Sequence, residues 1–408
     1  MAVVRSKKSM KILQITNKVP VPPKDGGSIA SLRLAEGLAD QDHQVHILAM
    51  NTSKHFVTRE EIQNFEKPNL AVTAVEIDTR IRPEKAMINL IFSRLPYNAV
   101  RFISPKFRSA LKALISEFQP ELIILENLYP AAYLDDIRRN SGAALAYRAH
   151  NVEHEIWHRM ARNARGLKKH YISILARRIY EFEKDLVNKY DLLVPITARD
   201  ADALEKLGNK KPCFILPAGY DSEIADCPPI KESEPVIAHL GALDWLPNQE
   251  GLLWFADEVW PLLRKQIPGI RFHLAGRNAP EWFNKKMNMP GVTIHGEIED
   301  AGSFIQKYPI HIVPLFSGSG MRIKIVEGMA AGRVVVTTTI GTEGIDTQHK
   351  ENILIADYPE LFASEIIEAL GDLDYCRKIG KNAFTFVNEK LNNKILIEGF
   401  LRFLENKI

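Results

Sequence analysis

Short runs of apolar residues alternate with longer amphipathic stretches along most of the 408-residue chain. The first run, residues 12–15, is followed by a glycine-bearing loop and then by residues 29–38, which have a helical period. Short apolar runs are typical of buried strands, and longer stretches of period 3.6 are typical of helices. This alternation predicts parallel sheets whose two faces are covered by helices.

Two alternating series of this kind follow one another. The first predicts strands at residues 12–15, 45–50, 70–77, 122–125, 143–148 and 192–196. The second predicts strands at residues 236–240, 270–275, 292–295, 310–315 and 334–338, and helices at 252–263 and 321–331. After Tyr358 the pattern predicts successive helices without strands.

The segment between the two series has the composition of a linker, with one proline, a glycine and then a Pro-Pro pair among polar residues. A chain of this length is also too long for one hydrophobic core. We therefore predict an α/β protein with an N-terminal Rossmann-like domain over residues 1–215, a linker over 216–234, a C-terminal Rossmann-like domain over 235–385 and a C-terminal helix over 386–408. The two doubly wound domains are expected to face a cleft, with the C-terminal helices packing back on the first domain.

Composition narrows the class of protein. The chain is 46% hydrophobic and 25% charged, as in soluble globular proteins, and its formal net charge of +3 is too small to indicate a nucleic-acid partner. Three widely spaced cysteines suit a reducing compartment. The N-terminal residues do not have the pattern of a signal peptide, and no apolar run reaches the length of a membrane span. We expect a cytoplasmic protein, with peripheral attachment to the inner face of the membrane as an alternative.

Residues 310–337 carry the most specific chemistry. The loop from Ser317 to Gly320 lets backbone amides approach a ligand at a helix N-terminus, which favours phosphate. In a helix over 321–331, Gly320, Lys324 and Glu327 would share one face, with Lys324 neutralising a diphosphate and Glu327 accepting hydrogen bonds from ribose hydroxyls. The alternative is an exposed Lys324–Glu327 ion pair worth only about 0.2–0.5 kcal/mol.

This segment resembles the donor-binding motif of the family 4 (group 1) glycosyltransferases. Residues 318–332, 334–337 and 341–345 resemble its helix, following strand and next loop, while residues 239–250, 272–277 and 219–221 resemble weaker family segments. The resemblance implies a GT-B fold and a hexosyltransferase type of enzyme. It also implies a nucleotide-diphosphate-sugar donor, retention of anomeric configuration, no cofactor and no catalytic metal. The acceptor would be a saccharide or lipid-linked, as in cell-surface polysaccharide or glycolipid synthesis.

The resemblance also assigns site residues. It implies catalytic roles for His150, Arg322 and Lys324, and donor binding by Gly241, Arg277, Gly318, Ser319, Gly320, Met321, Glu327, Thr342 and Glu343. Two departures from the family pattern stand out. Ser319 occupies a position where the family often has glutamate, and no Arg or Lys lies between Gly241 and Gly251. The missing positive charge would come from Arg322 and Lys324.

In the first domain, Gly26 and Gly27 follow the first strand and open a helix, so they form a candidate acceptor or phosphate loop. Plain turn glycines are the alternative. His150, with Asn151 and Glu153, follows a predicted strand at the sheet edge where open α/β sheets build their sites. A structural histidine is the alternative there. The motif His154-Glu-x-x-x-His158 is one residue longer than the zinc-protease spacing, so we predict no metal site.

Two further segments suggest a surface. Residues 159–178 contain seven Lys or Arg and no Asp or Glu, and the apolar stretch 86–97 is flanked by four arginines. We hypothesise that the two segments form a membrane-facing acceptor surface, the first by binding anionic lipid headgroups and the second by contacting a lipid-linked or saccharide acceptor. A solvated helix face and ordinary core are the respective alternatives.

Competing functions are a sugar-nucleotide epimerase of the same architecture and a dinucleotide-dependent oxidoreductase. An epimerase would need a pair of acid/base carboxylates that the sequence does not reveal. An oxidoreductase would need G-x-G-x-x-G after the first strand and an acidic residue about 20 positions later. A carbohydrate-binding module would not need the loop at residues 318–327.

Overall fold

The computed structural model describes residues 9–23, 25–65, 67–220, 226–231, 234–318 and 320–407. The chain divides into two compact units. The first unit comprises Met1–Gly219 and Leu396–Ile408, and the second comprises Tyr220–Ile395. Each unit has its own six-stranded parallel sheet with flanking helices, so the predicted fold class of two Rossmann-like α/β domains is confirmed.

The first unit alternates strands and helices. Its strands are β1 (Lys11–Thr16), β2 (Gln44–Thr52), β3 (Leu70–Ile77), β4 (Leu122–Glu126), β5 (Ala144–Arg148) and β6 (Leu192–Leu193). Its helices are α1 (Gly26–Ala39), α2 (Arg59–Gln63), α3 (Pro83–Phe92), α4 (Tyr97–Val100), α5 (Pro105–Phe118), α6 (Leu134–Asn140), α7 (Glu153–Asn163), α8 (Gly166–Leu186) and α9 (Ala198–Lys206), with a 3₁₀ turn at Tyr129–Tyr133. The strand order is β3-β2-β1-β4-β5-β6. The order therefore reverses between β1 and β4, where open α/β sheets bind ligands beyond the carboxyl ends of the strands.

The apolar runs of this unit are buried on both faces of the sheet. In β4, Ile123 and Leu125 pack into one core layer, whereas Leu122 and Ile124 pack into the other. Successive strand residues point to opposite faces, so a strand covered on both sides must be apolar throughout. This explains why the sequence shows continuous apolar runs here and no alternation.

The second unit repeats the same plan. Its strands are β7 (Val236–Leu240), β8 (Arg271–Ala275), β9 (Val292–Gly296), β10 (Ile310–Val313), β11 (Val334–Thr337) and β12 (Leu354–Ile355). Its helices are α10 (Leu246–Trp254), α11 (Trp260–Gln266), α12 (Glu281–Met287), α13 (Ala301–Lys307), α14 (Ile323–Ala330), α15 (Pro359–Gly371) and α16 (Leu373–Lys390). The strand order β12-β11-β10-β7-β8-β9 reverses between β7 and β10, the positions that correspond to β1 and β4.

The last helix, α17 (Asn393–Glu405), returns to the first unit. Its buried residues Ile397, Phe400 and Leu404 join the core layer that contains Ile12 of β1. The Phe400 ring lies 5.7 Å from the ring of Phe214. The predicted packing of the C-terminal helix on the first domain is therefore confirmed.

Several element boundaries differ from the expectations. β12 was missed because two residues carry no periodic signal. The helix expected at 252–263 is α10, a π-helical turn at Phe255–Val259 and α11. Residue 386, where the C-terminal helix was expected to begin, lies within α16. None of the helices in the described ranges has both the length and the apolar character needed to cross a bilayer.

Candidate functional site

The helix expected at 321–331 begins two residues later, at Ile323. Gly318 and Gly320 have φ values of 109° and 75°, which no α-helix can accommodate, and Arg322 caps the helix with extended backbone. Gly320 is therefore outside the helix, and the prediction that it shares a helical face with Lys324 and Glu327 is wrong. Lys324 and Glu327, three residues apart within α14, do lie on one face. Ser319 lies outside the described residues.

The loop between β10 and α14 lies at the switch point of the second sheet, where β10 neighbours β7. The buried Arg322 guanidinium donates a hydrogen bond to the carbonyl of Gly320 and so folds the loop against the start of the helix. A Cβ atom at Gly318 would lie 3.2 Å from Arg322 Nη2 and 3.3 Å from the Trp245 ring. The loop is thus a close-packed, glycine-dependent turn that presents a helix N-terminus, the arrangement that binds anions.

Lys324 is the central cation of this site. Its Nζ donates to Asn248 Oδ1 at 2.5 Å and lies 5.6 Å from the ring centroid of Trp245. Trp245 caps α10 and Asn248 is in its first turn, so the segment after β7 supplies both contacts. Burial, with the nearby charge of Arg322, lowers the pKa of Lys324 to about 7, although Glu327 opposes the shift.

Gly241, at the end of β7, is surrounded by polar groups. A Cβ atom there would lie 3.0 Å from each of Lys324 Nζ, Asn248 Nδ2 and His239 Nε2. His239 donates from Nδ1 to the Ile312 carbonyl at 2.8 Å. Burial and the Lys324 charge lower the pKa of His239 well below its usual value, so Nε2 is an acceptor, and it has no partner among the described atoms. A cation, an amide and a neutral imidazole therefore converge on one glycine.

The remaining candidates of the second unit, Arg277, Met321, Thr342 and Glu343, are half-buried and lie in the loops after β8, β10 and β11. The Arg277 carbonyl accepts from the Leu243 amide at 2.9 Å and so holds the loop after β7. Met321 packs, half-buried, against the hydrophobic cluster below α14. Thr342 and Glu343 lie in the turn after β11, and their hydrogen bonds stay within that turn.

In the first unit, a cavity of about 700 Å³ opens beside the carboxyl ends of β1 and β4. It brings together four of the sequence-predicted residues, namely Gly27, His150, Asn151 and Glu153. Its lining also includes the basic side chains of Lys18, Lys54, Arg80 and Arg101. Gly26 opens α1 one residue before Gly27. The cavity is therefore lined by more positive than negative charge.

His150 is held by a fully buried carboxylate, Glu126. The His150 Nε2 contacts Glu126 Oε2, and Gln14, Ser31 and Arg148 also donate to Glu126, from 2.8, 2.9 and 3.3 Å. Burial alone would raise the pKa of Glu126, but Arg148 and His150 lower it to about 2. Burial lowers the pKa of His150 despite the carboxylate. At neutral pH, His150 is therefore a neutral imidazole that donates from Nε2 and offers Nδ1 as an acceptor.

The acceptor atom of His150 faces the glycine loop. A Cβ atom at Gly27 would lie 3.7 Å from His150 Nδ1 and 3.3 Å from Lys18 Nζ. Asp25 caps α1 by accepting from the Ser28 amide at 2.9 Å, and it pairs with Lys18 at 2.5 Å. The start of α1, a lysine and the imidazole acceptor thus meet at the mouth of the cavity.

Glu153 and the two later histidines have structural partners. Burial and the neighbouring Glu183 raise the pKa of Glu153 to about 7, although Tyr129 donates to Glu153 at 3.0 Å. Glu183 caps α7, since it accepts from the amides of Glu153 and His154. His154 Nδ1 also contacts Glu183, at 2.7 Å. Within the described ranges, no three His, Cys, Asp or Glu side chains are grouped as metal ligands would be.

Two family models match the chain. Residues 25–224 match "Glycosyltransferase Family 4", and residues 234–372 match "Glycosyl transferases group 1". Together the two matches cover more than four fifths of the chain. The chain belongs to the family 4, group 1 glycosyltransferases. The predicted family and enzyme class are thereby confirmed, and transfer is favoured over the epimerase and oxidoreductase alternatives.

Individual proteins similar to this glycosyltransferase share a low sequence identity with it. An "uncharacterized 44.6 kDa protein in cps region" of Klebsiella pneumoniae is 24% identical over 94% of this chain and 97% of its own length. The fold is similar to sucrose-phosphate synthase from Thermosynechococcus elongatus, with a TM-score of 0.71, 17% identity and coverage of 97% and 98% of the two chains. It is also similar to Anabaena HepE in complex with UDP-glucose, with a TM-score of 0.67, 12% identity and coverage of 97% and 100%.

Sequence reasoning missed several residues of the glycosyltransferase's two sites. Glu126 ends a wholly buried strand at the switch point, and an acidic residue in that position was a usable signal. Trp245 and Asn248 lie in a segment noted only for its family resemblance. Asn248 and Lys324 are 76 residues apart in the sequence, so no local pattern predicts their contact.

Proposed function

We propose that this glycosyltransferase is a retaining, metal-independent enzyme. It moves a sugar from a nucleotide-diphosphate-sugar to a saccharide or lipid-linked acceptor in cell-surface polysaccharide or glycolipid synthesis. The observation that carries the proposal is the convergence of Lys324, Asn248 and His239 on Gly241 beside the N-terminus of α14. The Lys324 cation and the Asn248 amide donor of this set suit a diphosphate.

The donor diphosphate lies, in this proposal, at the start of α14. Lys324, Arg322 and the backbone amides of the loop provide positive charge and donors, and charge stabilisation at a leaving group is commonly the largest catalytic contribution. They supply the charge that a divalent metal supplies in other transferases, which is the basis for proposing metal independence. Glu327, on the same helical face as Lys324, accepts hydrogen bonds from the ribose hydroxyls.

The proposal of retention rests on the family resemblance and on the contacts of Glu126, the carboxylate that holds His150. Glu126 is fully buried and engaged by Gln14, Ser31, Arg148 and His150, so it is not placed to attack a sugar. In this proposal, His150 positions the transferred sugar by accepting a hydrogen bond at Nδ1 from one of the sugar's hydroxyl groups. In a front-side retaining reaction, the acceptor attacks as the diphosphate leaves, and no protein nucleophile is obligatory.

The cavity of the first unit is the proposed acceptor site. Its size suits one or two sugar rings, and Asn151 and the loop at Gly27 provide polar contacts at its mouth. The relative in the cps region supports a role in polysaccharide assembly. HepE was solved with UDP-glucose, and TarM from S. aureus was solved with UDP, so UDP is the first nucleotide to test.

A thermal-shift panel of UDP, GDP, ADP and dTDP, followed by calorimetry, tests the donor site. We expect one nucleotide to raise the melting temperature and Glu327→Ala to lose its binding. Glu360→Ala, an exposed glutamate in the first turn of α15, is the matched control and should bind normally. Unchanged affinity in the Glu327 variant would show that the site is assigned wrongly.

Turnover assays in EDTA, with the anomeric configuration of the product read by NMR, test the chemistry. We expect full activity without divalent metal and a product of the same configuration as the donor. Inversion, or loss of activity that Mg²⁺ restores, would refute that part of the proposal.

A further inference from the structure

Helix α3 of the first unit exposes four large apolar side chains and buries a polar one. Met87, Ile88, Ile91 and Phe92 point outward with exposed fractions of 58%, 58%, 66% and 83%, whereas the polar Asn89 is buried. An ordinary surface helix buries its apolar face and exposes its polar one. The alternative that this stretch is ordinary core therefore does not hold for these four side chains, although Ala86 and Tyr97 do join the core.

Hydrogen bonds from α8 hold α3 in the orientation that exposes these apolar side chains. Arg178 donates to the Asn89 carbonyl and side-chain oxygen at 3.1 and 3.3 Å, and to the Leu90 carbonyl at 2.7 Å. Asn89 itself donates to the Leu95 carbonyl at 3.2 Å. These bonds satisfy the C-terminal carbonyls of α3 with a cation, so the helix is held with its apolar side chains in solvent.

Basic residues lie beside this apolar face. Residues 78–94 include four basic and two acidic residues, and one of the acidic residues, Asp78, pairs with Arg80 and Arg82. The neighbouring α8 adds the exposed Lys168, Lys169 and Arg177, and its exposed Ile174 lies one turn before Arg178 on the same helical face. The two segments that the sequence analysis singled out together therefore meet where Arg178 holds α3, and they form an α3–α8 surface with apolar side chains on α3 and further basic side chains along α8.

We propose that this α3–α8 surface docks the protein on an anionic lipid bilayer. Exposed contiguous apolar patches mark interaction sites, and an apolar helix face bordered by Lys and Arg suits insertion at the headgroup boundary of anionic lipids. Each basic residue near such a surface strengthens binding by about fivefold. The charge around α3 distinguishes a bilayer from an apolar protein partner as the occupant.

The surface is continuous with the cavity of the first unit. Arg80 and Ile81 line that cavity, and α3 begins two residues after Ile81, which is 72% exposed. A docked protein would thus hold the cavity at the membrane surface. This consequence, which rests on the proposed function, assigns the acceptor to the lipid-linked class.

Co-sedimentation of the full-length protein with phosphatidylglycerol-containing and pure phosphatidylcholine vesicles tests the docking. We expect binding to the anionic vesicles only, weakened more than about tenfold by the double variant Ile91→Ser and Phe92→Ser. A second variant, Lys168→Glu with Lys169→Glu and Arg177→Glu, should lose binding at low salt. Arg178 is left intact because it fixes α3.

The matched control is Trp282→Ser with Leu361→Ser, which removes exposed apolar side chains from the second unit and should bind vesicles normally. Circular dichroism and nucleotide thermal shifts check that each variant is folded. Equal vesicle binding by the wild type and the Ile91/Phe92 variant would overturn the proposal. The proposal would also be overturned if the wild type formed a dimer, the Ile91/Phe92 variant were monomeric and neither bound vesicles. In that case α3 would be a self-association surface.

The docking proposal and the acceptor assignment can be refuted independently, the first by vesicle binding and the second by turnover. Docking without transfer to any lipid-linked acceptor would refute the acceptor assignment and leave the docking intact. Transfer to lipid-linked acceptors in vesicles that the protein does not bind would refute the docking and leave the proposed function intact.

Discussion

At the scale of single residues, two buried charged groups, Glu126 and Lys324, have opposite surroundings. Glu126 is surrounded by donors and cations, which hold it ionised and lower its pKa to about 2. Lys324 is largely removed from solvent and lies near Arg322, so its pKa is lowered to about 7 although Glu327 opposes the shift. The first arrangement is complete within the chain. The second favours the arrival of an anion that would pair with the lysine.

Nucleoside diphosphate affinity should therefore depend on pH through Lys324. Below pH 7 the free protein already carries the charge, whereas above pH 7 binding must take up a proton. We expect affinity to fall between pH 7 and 9, by up to about tenfold per pH unit, since a terminal phosphate with a pKa of about 6 is already ionised there. Calorimetry in buffers of different ionisation enthalpy measures the proton uptake.

The control for this pH dependence is Lys324→Gln. This variant should bind more weakly at pH 7 and show no dependence on pH between 7 and 9. A wild-type affinity that stays constant over the same range would contradict the assignment of Lys324 as the diphosphate cation.

At the scale of elements, the donor site depends on how closely α10 approaches the end of β10. A Cβ atom at Gly251 in α10 would lie 1.7 Å from the Pro314 carbonyl oxygen, so only glycine permits this contact. The same helix begins with Trp245 and Asn248, which hold Lys324. The position of Lys324 is therefore set by backbone packing of α10 one to two turns away from Trp245 and Asn248.

Gly251→Ala should test this dependence. The added methyl group must push α10 from β10, which we expect to destabilise the protein by about 1–3 kcal/mol and to weaken nucleotide binding. Urea unfolding and calorimetry measure the two effects. Gly371→Ala, at the end of α15 where a Cβ atom meets nothing within 4 Å, is the control and should leave both unchanged. Normal nucleotide affinity in the Gly251 variant would disprove the link.

At the scale of the whole molecule, the two units share one topology but differ in how their cores are closed. The second unit is contiguous from Tyr220 to Ile395, whereas the first needs residues from the end of the chain. Helix α17 supplies Ile397, Phe400, Leu401 and Leu404, all nearly inaccessible, to the first unit's core. The first unit is therefore incomplete until the chain has been synthesised to its last helix.

A chain ending at Ile395 should lose the first unit selectively. Each of the four missing side chains contributes about 1.5–3 kcal/mol of burial, a sum comparable with the about 5–15 kcal/mol that stabilise a typical domain. Hydrogen exchange should show lost protection in β1 and β4 and retained protection in β7 and β10. A chain ending at Glu405 is the control, and equal protection in both chains would contradict the prediction.

The sequence by itself determined the two Rossmann-like domains, the family and most strand positions. Buried parallel strands must be continuously apolar, and this local pattern survives without any knowledge of neighbours. It also predicted Lys324 and His150 as site residues, because glycine loops and strand ends mark sites in open α/β sheets. The helix start at Ile323 was missed because glycine can adopt either helical or positive φ.

Only the tertiary structure decided which residues these site groups contact. Gln14 and Glu126, 112 residues apart, meet because β1 and β4 are neighbours in the sheet. It also decided that α3 faces outward, because its orientation depends on Arg178 of α8, 89 residues beyond Asn89. Periodicity reports that a helix has an apolar face, but the side of the molecule on which that face lies is set by packing against distant elements.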